Sequence, residues 1–156
     1  MSTGEEFNPS FKYEQLPLEL DAVIGRGIKF KRIFSPNTGT VDTNSGIERI
    51  NQSIHDILYT RVGERGFMRS YGSDLYKLVF SPNDALLHDI IRVYITDAIR
   101  KWEKRIKLIK ISVLANPEDI DNSVVNIKIE YVLRNSNIYG SYVYPFVREP
   151  MQIGGK

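Results

Sequence analysis

Cysteine is absent from all 156 residues. That excludes a disulfide scaffold, a thiolate metal site and a cysteine nucleophile, and it fits a reducing compartment. Histidine is nearly absent too. His55 and His88 are the only two, without HxxxH spacing, and a zinc site needs more ligands than that. Both read as flank residues beside apolar helical stripes. No apolar run approaches the roughly 20 residues of a membrane span, and the opening MSTGEEFNPS lacks a signal-peptide pattern. Charge of one sign is lacking as well. A net +2 from 21 bases and 19 acids gives no bulk pull toward nucleic acid. The nucleophile-elbow, P-loop and dinucleotide-binding glycine patterns do not occur.

What is present is enough for one folded domain. Hydrophobic residues make up 42% and charged residues 26%, a globular balance at a length that can bury a core. Residues 1–21 stand apart, with five acids (Glu5, Glu6, Glu14, Glu19, Asp21) against Lys12. They show no helical or strand period and read as an acidic arm. Such an arm is either a frayed terminus or a docking segment carrying Phe7, Phe11, Tyr13, Leu16, Leu18 and Leu20. The domain is expected over 22–150, with a flexible tail at 151–156.

Within the domain, 27–34 is a short strand candidate and 35–46 is rich in turn residues. Ser45 with Glu48 three positions on forms a capping box. Ile47, Ile50, Ile54, Ile57 and Leu58 then repeat at helical spacing, with the helix ending near Thr60. A glycine-rich connection follows over 61–74. Ser81, Pro82 and Asp84 open a second helix, with Pro82 at its first helical position. Its stripe is Leu86, Leu87, Ile90, Ile91, Tyr94, Ile95, Ala98, Ile99 and Trp102. Lys101, Lys104 and Arg105 suit the negative end of its dipole.

The period then changes to two. Residues 106–114 read as a strand with a phase slip at Leu108–Ile109, the mark of a bulge. After the turn NPEDIDNS, Val125, Ile127, Ile129, Tyr131 and Leu133 alternate with polar residues, so one face is buried. Residues 139–147 are aromatic and β-prone. Pro145 cannot donate to a ladder, which makes this an edge strand. The expected fold is a small α+β domain, two main helices packed on a mixed or antiparallel sheet with an exposed C-terminal edge strand.

Catalysis finds little support. Glu118, Asp119 and Asp121 crowd a turn, whereas a glycosidase needs two carboxylates flanking one cleft. Glu64 sits beside Arg65 in a glycine-flanked loop, and the arginine favours the ionised carboxylate, the opposite of a general acid. Six bases from Arg100 to Lys110 straddle a helix end and a strand start. Dipole compensation and a solvated face explain most of them, ahead of nucleic acid.

Several ordered segments carry a resemblance. IGRGIKF at 24–30, SPNTGTV at 35–41 and SGIERINQSIHDILYTRVGERGFMRSYGSDL at 45–75 come first. FSPND at 80–84, RKWEKRI at 100–106 and VYPF at 143–146 follow. In this order and spacing they resemble the baseplate wedge family of contractile tails, which includes the sheath-initiating wedge subunit of myophages. Its relatives occur in bacteriocins, extracellular injection systems and type VI secretion. The resemblance implies a structural, non-enzymatic role in the baseplate of a virion tail or of an injection particle assembled in the cytoplasm. It implies other wedge proteins, the tail sheath protein and the central hub or spike as partners, with six copies per baseplate. No cofactor, metal, small-molecule ligand, nucleic acid or membrane is expected.

Two groups of residues are singled out for partners. Tyr139, Ser141, Tyr142, Val143, Tyr144 and Phe146 lie on the edge strand, where an added sheath strand would satisfy exposed backbone groups. Glu64, Arg65 and Arg69 lie in the loop that matches the family's acid–arginine motif. The proline that often intervenes in the secretion-system members is absent here, since the segment reads Gly63-Glu64-Arg65. Glu64 and Arg65 would either contact the wedge core or fix the loop locally. Two other functions stand as alternatives, a lysozyme-like tail enzyme and a small binding adaptor.

Overall fold

The computed structural model describes residues 24–28, 43–82, 84–115, 124–134 and 136–148. The acidic arm, the tail, most of the 27–34 strand candidate, residues 35–41 and the turn at 116–123 lie outside the described residues. The chain divides into two compact units, 1–49 and 50–156.

In the first unit, β1 (Gly27–Ile28) and β2 (Thr43–Asn44) pair antiparallel, Gly27 opposite Asn44. Gly27 lies against the Arg49 side chain, leaving no room for a Cβ unless that flexible chain moves. Ile24 is buried. Helix α1 (Gly46–Tyr59) starts directly after Ser45, with Glu48 in its first turn where an acid suits the dipole.

The second unit holds the rest of α1, helix α2 (Ala85–Trp102) and three strands. The strands are β3 (Ile106–Ala115), β4 (Val124–Leu133) and β5 (Tyr139–Val147), in the order β3-β4-β5 and antiparallel throughout. The α1 stripe is buried as its spacing requires, Ile50 and Ile54 completely. Each fully buried isoleucine contributes about 1.5–3 kcal/mol relative to an exposed one. Between the helices, a single 3-10 turn at Leu75–Leu78 buries Leu75 and Leu78. Sequence spacing gave no sign of so short an element.

Helix α2 begins later than the proline suggests. Asp84 is its N-cap, and the Asp84 carboxylate accepts the Leu87 N–H at 2.7 Å. That side chain satisfies one of the orphan donors at a helix start, so Pro82 is left ahead of the cap. The buried face of α2 is Leu87, Ile91, Ile95, Ala98 and Ile99. Leu86, expected in the stripe, is 66% exposed, because one residue turns the helix by about 100°.

The phase slip in β3 is a bulge. Register shifts between Leu108 and Lys110, and the inserted Ile109 is exposed. In β4 the alternation is complete, with Val125, Ile127, Ile129, Tyr131 and Leu133 all buried. Both helices lie on that face. α2 packs on β3, while Asn51 of α1 accepts the Tyr131 hydroxyl at 2.6 Å. Tyr131 stands opposite Gly140 of β5, where a Cβ would sit 2.5 Å from the Tyr131 ring. Glycine is required there because the ring lies flat across the neighbouring strand.

Candidate functional site

β5 is an edge strand, paired with β4 alone among the described residues. Its two faces differ. Tyr139, Ser141 and Val143 point away from the helices and are exposed, Tyr139 by 70%. Tyr142 and Tyr144 are half-buried on the helix side, and Phe146 is buried in the core. Phe146 therefore anchors the strand rather than presenting its side chain outward.

The direction of the backbone groups follows from one hydrogen bond and the register. The Leu133 N–H donates to the Ile138 carbonyl at 3.0 Å, and Val132 pairs with Tyr139 next along. Bonded and non-bonded pairs alternate in an antiparallel ladder. Gly140, Tyr142, Tyr144 and Phe146 thus bond to β4. Tyr139, Ser141, Val143, Pro145 and Val147 turn their backbone groups to the outer edge.

The helix side of β5 meets α1 in an aromatic cluster. His55 Nδ1 and the Tyr142 hydroxyl share a hydrogen bond of 2.9 Å. The His55 ring stacks on Tyr59 with centroids 5.6 Å apart and lies 6.0 Å from the Tyr144 ring. Burial pushes the Tyr144 phenol up to about 12, helped by Tyr142 and Tyr59. Burial also raises Tyr142, with the Asp56 carboxylate adding to it. Both phenols therefore keep their protons near neutral pH. His55 had read as a plain helix flank. Its partner lies 87 residues away in sequence, beyond the reach of spacing arguments.

The second group sits in the loop after α1. Gly63 has φ +95° and donates its N–H to the Arg69 carbonyl at 2.7 Å. Gly72 has φ +114° and packs so close to the Thr60 carbonyl that no side chain fits. Glu64 holds the turn, since its carboxylate accepts the Arg61 N–H at 3.0 Å. Arg65 lies over the Tyr71 ring at 4.1 Å, and Tyr71 leans on Trp102 of α2 at 5.1 Å. Glu64, Arg65 and Arg69 are all exposed. Between the two arginines, Phe67 is fully exposed, an aromatic knob that the sequence reading passed over. A single bare phenylalanine between bases is the signal that could have found it.

Beside this loop is a hollow of about 270 Å³ lined by Asp74, Tyr94, Asp97, Lys101 and Trp102 among others. Asp74 is held by Lys77 at 2.9 Å. The bases of 100–110 serve separate places. Lys104 donates to the Arg100 carbonyl at 2.6 Å, and Lys101 lies over the Trp102 ring. Arg105 forks onto Glu103, with contacts of 2.7 and 2.5 Å.

Glu103 is the buried acid of the described residues, 3% exposed. Burial by itself raises its carboxyl, but the Arg105 fork and a Ser53 hydrogen bond outweigh that and hold it below the ordinary value. Arg105 is held above its ordinary value by the Glu103 hydrogen bond, against the opposing effect of burial. This ties α1, the end of α2 and the start of β3 at one corner. No cluster of three or more His, Cys, Asp or Glu suited to a metal occurs among the described residues. No described helix is long and apolar enough to cross a membrane.

The described residues form a small α+β domain with β5 at the sheet edge and Phe67 exposed in the loop after α1. Comparison with known proteins gives the family. Residues 44–138, more than half of the chain, match the family described as Baseplate wedge protein gp25, and the chain belongs to it. Baseplate protein W of Escherichia phage P2 is 42% identical over 66 residues, which span 42% of this chain and 57% of that protein. Among solved structures, a candidate tail lysozyme from Geobacter sulfurreducens is 30% identical with a TM-score of 0.61, over 69% of this chain and 96% of that one. A chain of the anti-feeding prophage baseplate shares the fold at 22% identity and a TM-score of 0.59, over 86% and 94% of the two chains.

Proposed function

We propose that this protein is a non-enzymatic baseplate wedge subunit that links the wedge to the first ring of sheath subunits and starts sheath assembly by lending β5 as a template. The observation that carries this is the outer edge of β5, unpaired with any strand among the described residues. A long edge strand invites pairing unless it is charged, bulged, covered or interrupted by proline, and in β5 the proline lies only near the C-terminal end, at Pro145. β5 carries no charge along its nine residues. Strand addition satisfies its backbone groups at about 0.5–1.5 kcal/mol net per hydrogen bond.

The loop supplies a second contact, toward the other wedge proteins. Glu64 fixes the turn, which leaves Phe67 and the Arg65 and Arg69 guanidiniums to face a partner. Arginine forks suit carbonyls and carboxylates, and an aromatic knob suits a groove between helices.

The lysozyme name of one structural neighbour belongs to that protein. Here Asp74 and Asp97 both line the hollow, and Asp74 is already bridged to Lys77. A retaining or inverting glycosidase needs one carboxyl kept protonated. The purified chain is expected to release nothing from peptidoglycan. Release that is lost in Asp97→Asn would overturn the non-enzymatic reading.

The test of the role is co-purification of the tagged chain with its wedge and sheath partners. Recovery in a baseplate particle is expected. A lone monomer, with folded partners present, would contradict the proposal and favour an adaptor.

A further inference from the structure

We infer that strand addition on β5 is confined to the window Tyr139–Val143, with Pro145 as the stop that limits its length. This rests on the reading just given, that β5 accepts a strand from another protein. Tyr139, Ser141 and Val143 each direct an N–H and a carbonyl to the outer edge, by the ladder alternation set at Leu133 and Ile138. Pro145 falls at the same parity and has no N–H. A strand running along the edge finds paired donors and acceptors at three alternate residues, then a missing donor. Proline sits at this position without cost to the fold because its nitrogen faces away from β4.

The occupant is an extended segment of a partner protein with about five residues in the ladder. Its side chains opposite Gly140 and Tyr142 point to the helix side. There they meet the Tyr142 and Tyr144 rings and the His55–Tyr59 stack beyond them. Tyr59 is 73% exposed, so this platform is open to an arriving side chain. Apolar or aromatic residues suit those positions. A slip by one residue would turn them to the other face, so the apolar platform on the helix side sets the register while Pro145 limits the length of the ladder.

The probe is the purified tail sheath protein of the same machine, added to the full-length chain. Amide exchange on the wild type is expected to slow at Tyr139, Ser141 and Val143 on binding and to stay unchanged at Val147. Ser141→Pro removes one outward N–H and no β4 bond, and is expected to weaken binding about tenfold or more with Ser141→Ala binding normally. Pro145→Val restores the missing donor and is expected to extend protection to Val147. Equal binding by Ser141→Pro with an unchanged melting temperature would overturn the window while leaving the sheath-binding role intact. Protection at Val147 in the wild type would do the same. Failure of the wild type to bind sheath protein at all would remove the role and the window together.

Discussion

At the scale of single residues, two positions bear more than their size suggests. Gly140 makes room for the Tyr131 ring, which is fully buried and hydrogen-bonded to Asn51. Gly140→Ala forces that ring into strain and is expected to cost about 1–3 kcal/mol, read as a lower urea midpoint. An unchanged midpoint would show that the ring can move aside. Glu103 is the other. Its carboxyl is held below the ordinary value in the folded chain. The stability it contributes is therefore complete above the ordinary carboxylate range and disappears as pH falls through the lower folded value. Melting temperature should drop on acidification below about pH 4.5, and Glu103→Gln should both lower stability at pH 7, by about 1.5–3 kcal/mol, and flatten that acid slope. A variant with the parental slope would mean another group governs acid unfolding. Neither position was legible in the sequence. Glu103 lies within the RKWEKRI segment of the resemblance, but its role there, a buried fork with Arg105 beside Ser53 of α1, needs the fold.

At the scale of elements, periodicity carried most of the fold. Apolar spacing set α1 and β4 because each buries one continuous face, and the phase slip marked the β3 bulge for the same reason. The start of α2 was misplaced because two helix-start signals compete there, and the Asp84 side-chain bond decided it over Pro82. The loop after α1 was legible as a loop, but its internal order was not. Glu64 bonds its own turn, so Arg65 and Glu64 have different tasks. Glu64→Ala is expected to loosen the loop. Arg65→Ala, which loses a cation–π contact of about 0.5–1 kcal/mol, is expected to shift the melting temperature little and to reduce wedge incorporation by about tenfold in a co-purification assay. Full incorporation of Arg65→Ala would assign the arginine to the Tyr71–Trp102 stack alone.

At the scale of the whole molecule, the proposed role gives β5, whose outer edge is unpaired among the described residues, two duties. It closes the core through Phe146 and the Gly140–Tyr131 contact, and it presents Tyr139, Ser141 and Val143 outward. Removing residues 139–156 is therefore expected to unfold the domain by baring the β4 edge and taking Phe146 out of the core, so loss of sheath from such a truncation would say nothing about the edge. Substitution at the outward residues separates the two duties. The measurement that bears most directly on the account is an electron cryo-microscopy map of the assembled baseplate with its first sheath ring. The account predicts six copies of this chain beneath that ring, each with a strand from a sheath subunit laid along β5. A map in which the β5 edge is bare, or is covered by this chain's own residues while the sheath is seated elsewhere, would contradict it.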